Sequence, residues 1–340
     1  MKILKKAIPL IIVLFLSFWA IKPLFSPGFF PMHDDTQVAR VFEMHKSLND
    51  GMFPVRWVED LGYGYGYPIF NFYAPLAYYI GGFFMFLGFN ALLATKIMIG
   101  LGIVLSGIFM YLLAREFWGE VGGIISGLLY LYAPYHAVDI YVRGDVAEFF
   151  AYAFIPLVFF GVYRIYKIST ADSKLQLKIK NNIWFWVAVS AFAYAGVILS
   201  HNLTAMMMTP FVFIFAFILY ASSKLKINKP HFIWLGLLLG IVLAAFYWLP
   251  VFFELSFTNV LSVVGGGSNY KDHFVCINQL WNSPWGFGGS VPGCMDGLSF
   301  RIGKIHLILA AFSLPVMFLV FEKNKTKFSI LIFFIASLLF

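Results

Sequence analysis

Charge is what this sequence has least of. Only 12% of its 340 residues are Asp, Glu, Lys or Arg, about half the usual ~25% of a soluble domain, so a water-soluble fold is excluded. Cysteine is nearly absent: two residues cannot build a redox motif or a four-ligand zinc site, so any metal must be held by oxygen ligands. A basic face is missing too. The net charge is +8, but Lys and Arg fall in short clusters between apolar runs, a pattern that orients a chain in a membrane and does not bind nucleic acid. The Gly-rich stretches lack a preceding strand and a Lys at P-loop spacing, so nucleotide is not expected, nor flavin or haem.

What the chain has in excess is hydrophobic surface, 61% of residues, with 41 Phe, 18 Tyr and 9 Trp. Rings in such number suit hydrocarbon and the headgroup belt, where a phenol or indole can be half wet. The composition predicts an all-α integral membrane protein, a polytopic helical bundle in a lipid bilayer, as a single domain over 1–340.

Orientation follows from the basic clusters. Lys2, Lys5 and Lys6 precede the apolar stretch Ala7–Ile21, read as an uncleaved first span because Ser17-Phe-Trp-Ala20 is a poor cleavage site. The amino end is then cytoplasmic. Apolar runs continue at Pro75–Phe89, Ala91–Leu113, Val121–Ala133, Phe149–Tyr163, Ile183–Leu199, Ala205–Tyr220, Phe232–Leu249, Ile305–Phe321 and Phe328–Phe340. Three basic clusters, within Arg164–Lys180, Lys224–Lys229 and Lys323–Lys327, are expected inside. Three spans between Lys22 and Arg164 satisfy that rule and four do not. Pro75–Phe89, short and rich in Gly and Tyr, is therefore assigned as an interfacial or re-entrant helix. The last run is short to cross, and the chain is expected to continue beyond it. Residues 22–74 and 254–304 become outer loops of a multi-pass cell-membrane protein.

The unusual polar residues then collect on the outer side. His33-Asp34-Asp35 precede an amphipathic juxtamembrane helix with Val38, Val41, Phe42 and Leu48 on one face, where an Asp can cap backbone amides. The chemical reading gives the two acids separate jobs, one taking a proton and one holding a divalent cation, Mg or Mn, against a phosphate. The Gly-Tyr alternation of 61–67, with Tyr65 and Tyr67, suits stacking on sugars or isoprene units and equally an interfacial belt. In Arg143-Gly-Asp-Val-Ala-Glu148 the i, i+3 spacing puts Asp145 and Glu148 on one helix face. Either they solvate a helix start and pair with Arg143, or Arg143 meets a phosphate while the acids, with Asp35, hold a cation. His201 and Glu254 each end a span at this boundary. Cys276 and Cys294, in an oxidising compartment, are expected to form a disulfide closing a loop of about 18 residues, worth ~3 kcal/mol in the loop-entropy model. Trp285 lies inside that loop.

Taken together, His33-Asp34-Asp35, the Gly-Tyr repeat running into Pro68-Ile-Phe-Asn-Phe-Tyr-Ala-Pro75, Arg143–Glu148 with Pro156 beyond, Ser200-His-Asn, Trp248-Leu-Pro250 with Glu254, and Trp285-Gly-Phe-Gly resemble a group of bacterial membrane proteins. The group is called "6-pyruvoyl-tetrahydropterin synthase related". Pterin chemistry is not implied, since the soluble synthase needs a zinc-binding His cluster in an α/β fold. The architecture is similar to GT-C polytopic glycosyltransferases, which implies a sugar taken from a polyprenyl-phosphate donor. By that resemblance Asp34 or Asp35 is the base or metal ligand of the first outer loop, and Asp145 or Glu148 the second acid. His33, Arg143, Tyr65, Tyr67, His201 and Trp285 would contact substrate or its phosphate. The acceptor is a glycan, lipid or protein of the envelope. Two rivals are a transporter or flippase of lipid-linked saccharides, with the acids along a path, and a non-enzymatic scaffold, with all of them as interfacial anchors.

Overall fold

A computed structural model describes residues 2–170, 183–222, 231–259 and 269–321. The run Phe328–Phe340, the clusters at Lys224–Lys229 and Lys323–Lys327, and Lys174, Lys178 and Lys180 lie outside the described residues. The regular elements are helices: α1 Lys2–Ile21, α2 Gln37–Asn49, α3 Leu76–Phe86, α4 Ala91–Leu131, α5 Val146–Ser169, α6 Ile183–Ser200, α7 Asn202–Ser222, α8 His231–Leu243, α9 Ala245–Glu254 and α10 Lys304–Phe321. Five stretches are long and apolar enough to cross a membrane, or six if the bent pair α8 and α9 is one span. The protein is thus a polytopic helical membrane protein.

The longest of these, α4, is a hairpin. Its 41 residues would reach ~62 Å if straight, about twice a hydrocarbon core. Gly119 instead adopts φ 70° and ψ −170°, a conformation open to glycine, and the chain doubles back. A Cβ on Gly127 would lie 2.9 Å from the Gly107 carbonyl, and one on Gly123 2.9 Å from the Tyr111 ring. Small residues at 107, 123 and 127 thus let the two limbs approach closely. The first limb also packs antiparallel on α1, with Val13 against Gly107 and Leu24 against Gly100.

Further glycine contacts set the direction of the other spans. Gly161 meets Ser190 and Gly196 meets Phe154, so α5 and α6 are antiparallel and His201 stands level with the start of α5. Gly236 meets Ser190 and Gly240 meets Ala191, so α8 runs parallel to α6. One end of the bundle therefore gathers the hairpin tip beside the end of α5, where Glu116 pairs with Arg164 at 2.9 Å and Lys167 at 2.8 Å. The other end gathers residues 22–74, 132–146, His201, α9 and 269–303, and is called the loop end below.

One expectation, that Pro75–Phe89 does not cross, is met, and another changes in detail. Helix α3 has 11 residues, ~16 Å, too short to span; it packs instead on α2, with Gly81 facing Val41 and Gly82 facing Met44. The run Phe232–Leu249 is not one straight helix but breaks at Ala244, where α8 and the following helix diverge by 61°. Tertiary bonds hold the second limb: Tyr247 donates to the Phe72 carbonyl at 3.0 Å, and Asn71 Nδ2 donates to Glu254 at 2.7 Å. Pro250 cannot bond the Phe246 carbonyl, and Arg56 Nη2 reaches that oxygen at 3.5 Å.

Candidate functional site

The site is built on the turn between the hairpin and α5. Residues Pro134–Val138 form a short helix and Asp139–Arg143 one π-helical turn, a local widening often found at functional sites. Gly144 ends it in the left-handed region, φ 73°, and a side chain there would collide with Met32. Asp145 caps α5, its Oδ1 accepting from the Glu148 amide at 3.0 Å. The loop preceding α2 docks on the same turn through main-chain bonds: the His33 amide donates to the Val142 carbonyl at 2.9 Å and the Asp34 amide to the Arg143 carbonyl at 2.8 Å. Gln37 adds a third tie, donating to the Gly144 carbonyl at 2.6 Å while accepting from the Tyr78 hydroxyl at 2.7 Å.

Arg143 is the hub. Its Nη1 lies 2.9 Å from Asp139 Oδ1 and 2.6 Å from Glu148 Oε2, its Nη2 3.3 Å from Asp145 Oδ2. Tyr135 accepts from Nη1 and donates to Glu148 Oε1 at 3.0 Å, and Tyr152 donates to the same carboxylate. One guanidinium thus serves three carboxylates, leaving a formal excess of two negative charges in a half-buried place. Asp139 is fully buried, and its Oδ2 has no hydrogen-bond partner among the described residues. Burial, then Glu148, push its carboxyl well above the usual carboxylate range, against the opposing pull of Arg143. Burial pulls the Arg143 guanidinium down, but Tyr135, Asp139 and Glu148 outweigh it and raise it overall.

Asp139, Asp145 and Glu148 each offer an oxygen, and these lie within 4.8 Å of one another. Oxygen donors at that spacing fit a hard divalent cation, and Asp139 also keeps a buried Oδ2 with no hydrogen bond among the described residues. This set differs from the expected one. Asp35 is exposed on the preceding loop and is not in the group; Asp139 takes its place, brought in because the π turn aims residue 139 at Arg143. The signal was present in the sequence as an Asp and an Arg four residues apart in an otherwise apolar stretch.

The other expected residues divide. Asp34 is half-buried and accepts from His33 Nδ1 at 2.9 Å, whereas His33 is exposed. Neither acid caps α2, whose N-cap Thr36 makes no side-chain bond. The buried face of α2 carries Gln37, Val41 and Met44, while Phe42 points outward: the helix packs on α3 rather than lying on its apolar side. Tyr65 and Tyr67 stand exposed on a turn where Gly62, Tyr63, Gly64 and Gly66 have positive φ, closed by the paired amides and carbonyls of Val58 and Tyr67. They do not reach the Arg143 cluster. His201 bonds Thr204 at 2.7 Å as part of its own helix start, and Glu254 holds Asn71.

Beside the cluster lies an apolar cavity of about 500 Å³. Its depth is formed by Ile103, Leu131 and Phe149, and its mouth by Trp19, Tyr132 and Trp285. His136 lines it and stacks on Tyr152 at 5.6 Å, so one ring pair separates cavity from carboxylates. Burial and the nearby His306 lower the His136 imidazole to about 4. Trp285 is carried there by the segment closed by the Cys276–Cys294 disulfide, Cα atoms 5.7 Å apart. His306 Nε2 holds this segment's end to the hairpin through the Leu129 carbonyl at 2.7 Å.

An "Uncharacterized protein" of Lactococcus lactis subsp. cremoris (strain MG1363) is 25% identical over 335 residues, covering 94% of this chain and 51% of the relative. The chain thus spans about half the length of the curated relative it matches. No solved structure matches. The model of the 6-pyruvoyl-tetrahydropterin synthase related domain, a membrane protein, matches residues 70–262, a segment that holds Arg143 and all three clustered acids but neither Asp34 nor Trp285. With more than half of its length matched, the chain belongs to the 6-pyruvoyl-tetrahydropterin synthase related family of membrane proteins.

Proposed function

We propose that the chain is a GT-C-like glycosyltransferase that moves a sugar from a polyprenyl-phosphate donor to an envelope acceptor on the extracytoplasmic side. The observation that carries the reading is the main-chain pairing of His33 and Asp34 with Val142 and Arg143. It joins the acids of the first loop to those of the third, 109 residues later, at the loop end. The opposite end holds Arg115, Arg164 and Lys167, which the positive-inside rule assigns to the cytoplasm.

Roles follow from what each side chain already does. Arg143 is engaged by three carboxylates, so the donor phosphate is assigned to a cation on Asp139, Asp145 and Glu148 and not to Arg143 directly. Such a cation, Mg or Mn, supplies charge stabilisation of the departing phosphate. Arg143 and Tyr135 hold the carboxylates in place. Asp34 is the base: it sits beside the cluster, still partly open, where an acceptor hydroxyl can reach it. Asp35, exposed and one residue on, points ~100° away if the turn is helix-like and is assigned to acceptor contact. Tyr65, Tyr67 and His33 offer rings and hydroxyls to the acceptor's sugars.

A second reading, transport of a lipid-linked saccharide, is favoured by the helix broken at Ala244. Its acids, though, cluster at one end rather than at a midplane. The test is sugar transfer by the reconstituted full chain and surface glycans in cells. Asp34→Asn and Asp35→Asn, singly and together, are expected to reduce transfer while the protein still inserts. Full activity in all three variants overturns the reading. Acid-dependent flipping with no product formed favours transport.

A further inference from the structure

The apolar cavity has a feature that sugar transfer does not use: its mouth opens onto lipid. The depth at Ile103, Leu131 and Phe149 is closed, each residue under 5% exposed. The mouth residues Trp19 and Tyr132 are half exposed, and Trp19 continues the outward face of α1 formed by Ile11, Phe15 and Phe18. That face lies in a segment apolar enough to span a membrane, so the cavity is continuous with the protein's lipid interface. Water does not fill such a space well, because a buried water needs two to four polar partners. The apolar ligand at highest local concentration is the hydrocarbon of the surrounding lipid.

Charge at the mouth narrows the class. Lys22 is exposed, is joined to the cavity-lining Pro23, and makes no ion pair among the described residues. A cation at the end of a span, at headgroup level, attracts an anionic lipid phosphate. The carboxylates of the neighbouring cluster face Arg143 instead.

We propose that this cavity seats one acyl chain of an anionic bilayer phospholipid, phosphatidylglycerol in the simplest case, with its phosphate at Lys22. The chain completes the packing between α1, the hairpin exit and the Trp285 segment. It also backs the His136–Tyr152 ring pair whose far side donates to Glu148. The proposal does not depend on the transferase reading.

The test uses the full chain in phosphatidylcholine nanodiscs, with phosphatidylglycerol carrying a diazirine at the acyl end as probe, and maps adducts by peptide mass spectrometry. Adducts are expected at Ile103, Phe149 or within Leu131–Tyr141, and excess unlabelled phosphatidylglycerol should remove them. Ala137→Trp, which fills the space, should cut these adducts by about tenfold while those on Ile11–Phe18 persist. Lys22→Gln should abolish the preference over a diazirine phosphatidylcholine. Adducts on the outward face alone, or cavity adducts indifferent to Ala137→Trp, overturn the proposal. So does cavity labelling by a diazirine isoprenyl phosphate but not by phosphatidylglycerol. If Ala137→Trp does not insert, competition in the unaltered chain decides by the same criteria.

Discussion

The two ends of the bundle each carry a half-buried ion cluster, and they are opposite in what they leave over. At the hairpin tip one acid, Glu116, meets two cations, Arg164 and Lys167, and Arg164 also lies over the Trp186 ring at 4.7 Å. That cluster ties α4 to α5 and has a positive remainder. At the loop end one cation, Arg143, meets three acids, and a buried oxygen of Asp139 stays unpartnered. Each cluster keeps one buried polar atom without a hydrogen bond among the described residues, Arg164 Nε at the tip and Asp139 Oδ2 at the loop end, so what differs is the sign of the remainder. Residual charge, not burial, separates structure from candidate chemistry here.

The contrast can be broken most forcefully at Glu148. Replacing it with Gln keeps an acceptor for the two tyrosine hydroxyls but removes the charge that meets Arg143 and would hold the proposed cation, so transfer should fall by about 100-fold or more. Glu116→Gln should leave transfer within about twofold and instead lower the thermal midpoint in detergent. Equal losses of transfer would erase the distinction. A step smaller, Asp34→Asn should cost about 100-fold as loss of the base, and exposed Asp35 only a few-fold; kcat for the two variants separates them.

The pH response sharpens the same point. Asp139's raised carboxyl keeps its proton to higher pH when folded, so without a cation its contribution to stability is present at acid pH and lost as pH rises through the raised value. A cation must displace that proton. Manganese affinity should therefore climb with pH above the ordinary carboxylate range, and Asp139→Asn should flatten the climb, read by titration calorimetry. His136 acts in the other sense. Neutral when folded and lowered to about 4 from 6.5, it makes stability full above pH 6.5 and falling below it, by about 3 kcal/mol in the limit. His136→Phe should lose less of its thermal midpoint between pH 6.5 and 4. The smallest effect is expected from Cys276→Ser with Cys294→Ser: the Trp285 segment loosens, and transfer changes little.

Much of the architecture was legible because apolar runs are strong signals. The gap between Leu113 and Val121 becomes the hairpin tip, and the shortness of Pro75–Phe89 becomes α3. The break at Ala244 was not, since it is held by partners near residues 56 and 72 that no local pattern reveals. In the site, Arg143, Asp145 and Glu148 were readable from helical spacing. Asp139 was readable in principle from its i, i+4 relation to Arg143, but a lone acid in an apolar stretch draws no pattern by itself. The docking of His33 and Asp34 on that turn, and a cavity lined from well-separated segments, are long-range facts. They come from main-chain hydrogen bonding and packing, to which periodicity is blind.

The claim beneath all of this is that the Arg143 cluster lacks positive charge and so takes a divalent cation. Manganese binding to the purified chain, followed by electron paramagnetic resonance, tests it directly. One bound ion per chain, lost in both Asp145→Asn and Glu148→Gln and kept in Glu116→Gln, is the predicted result. No bound manganese, or binding that survives both loop-end variants, contradicts it.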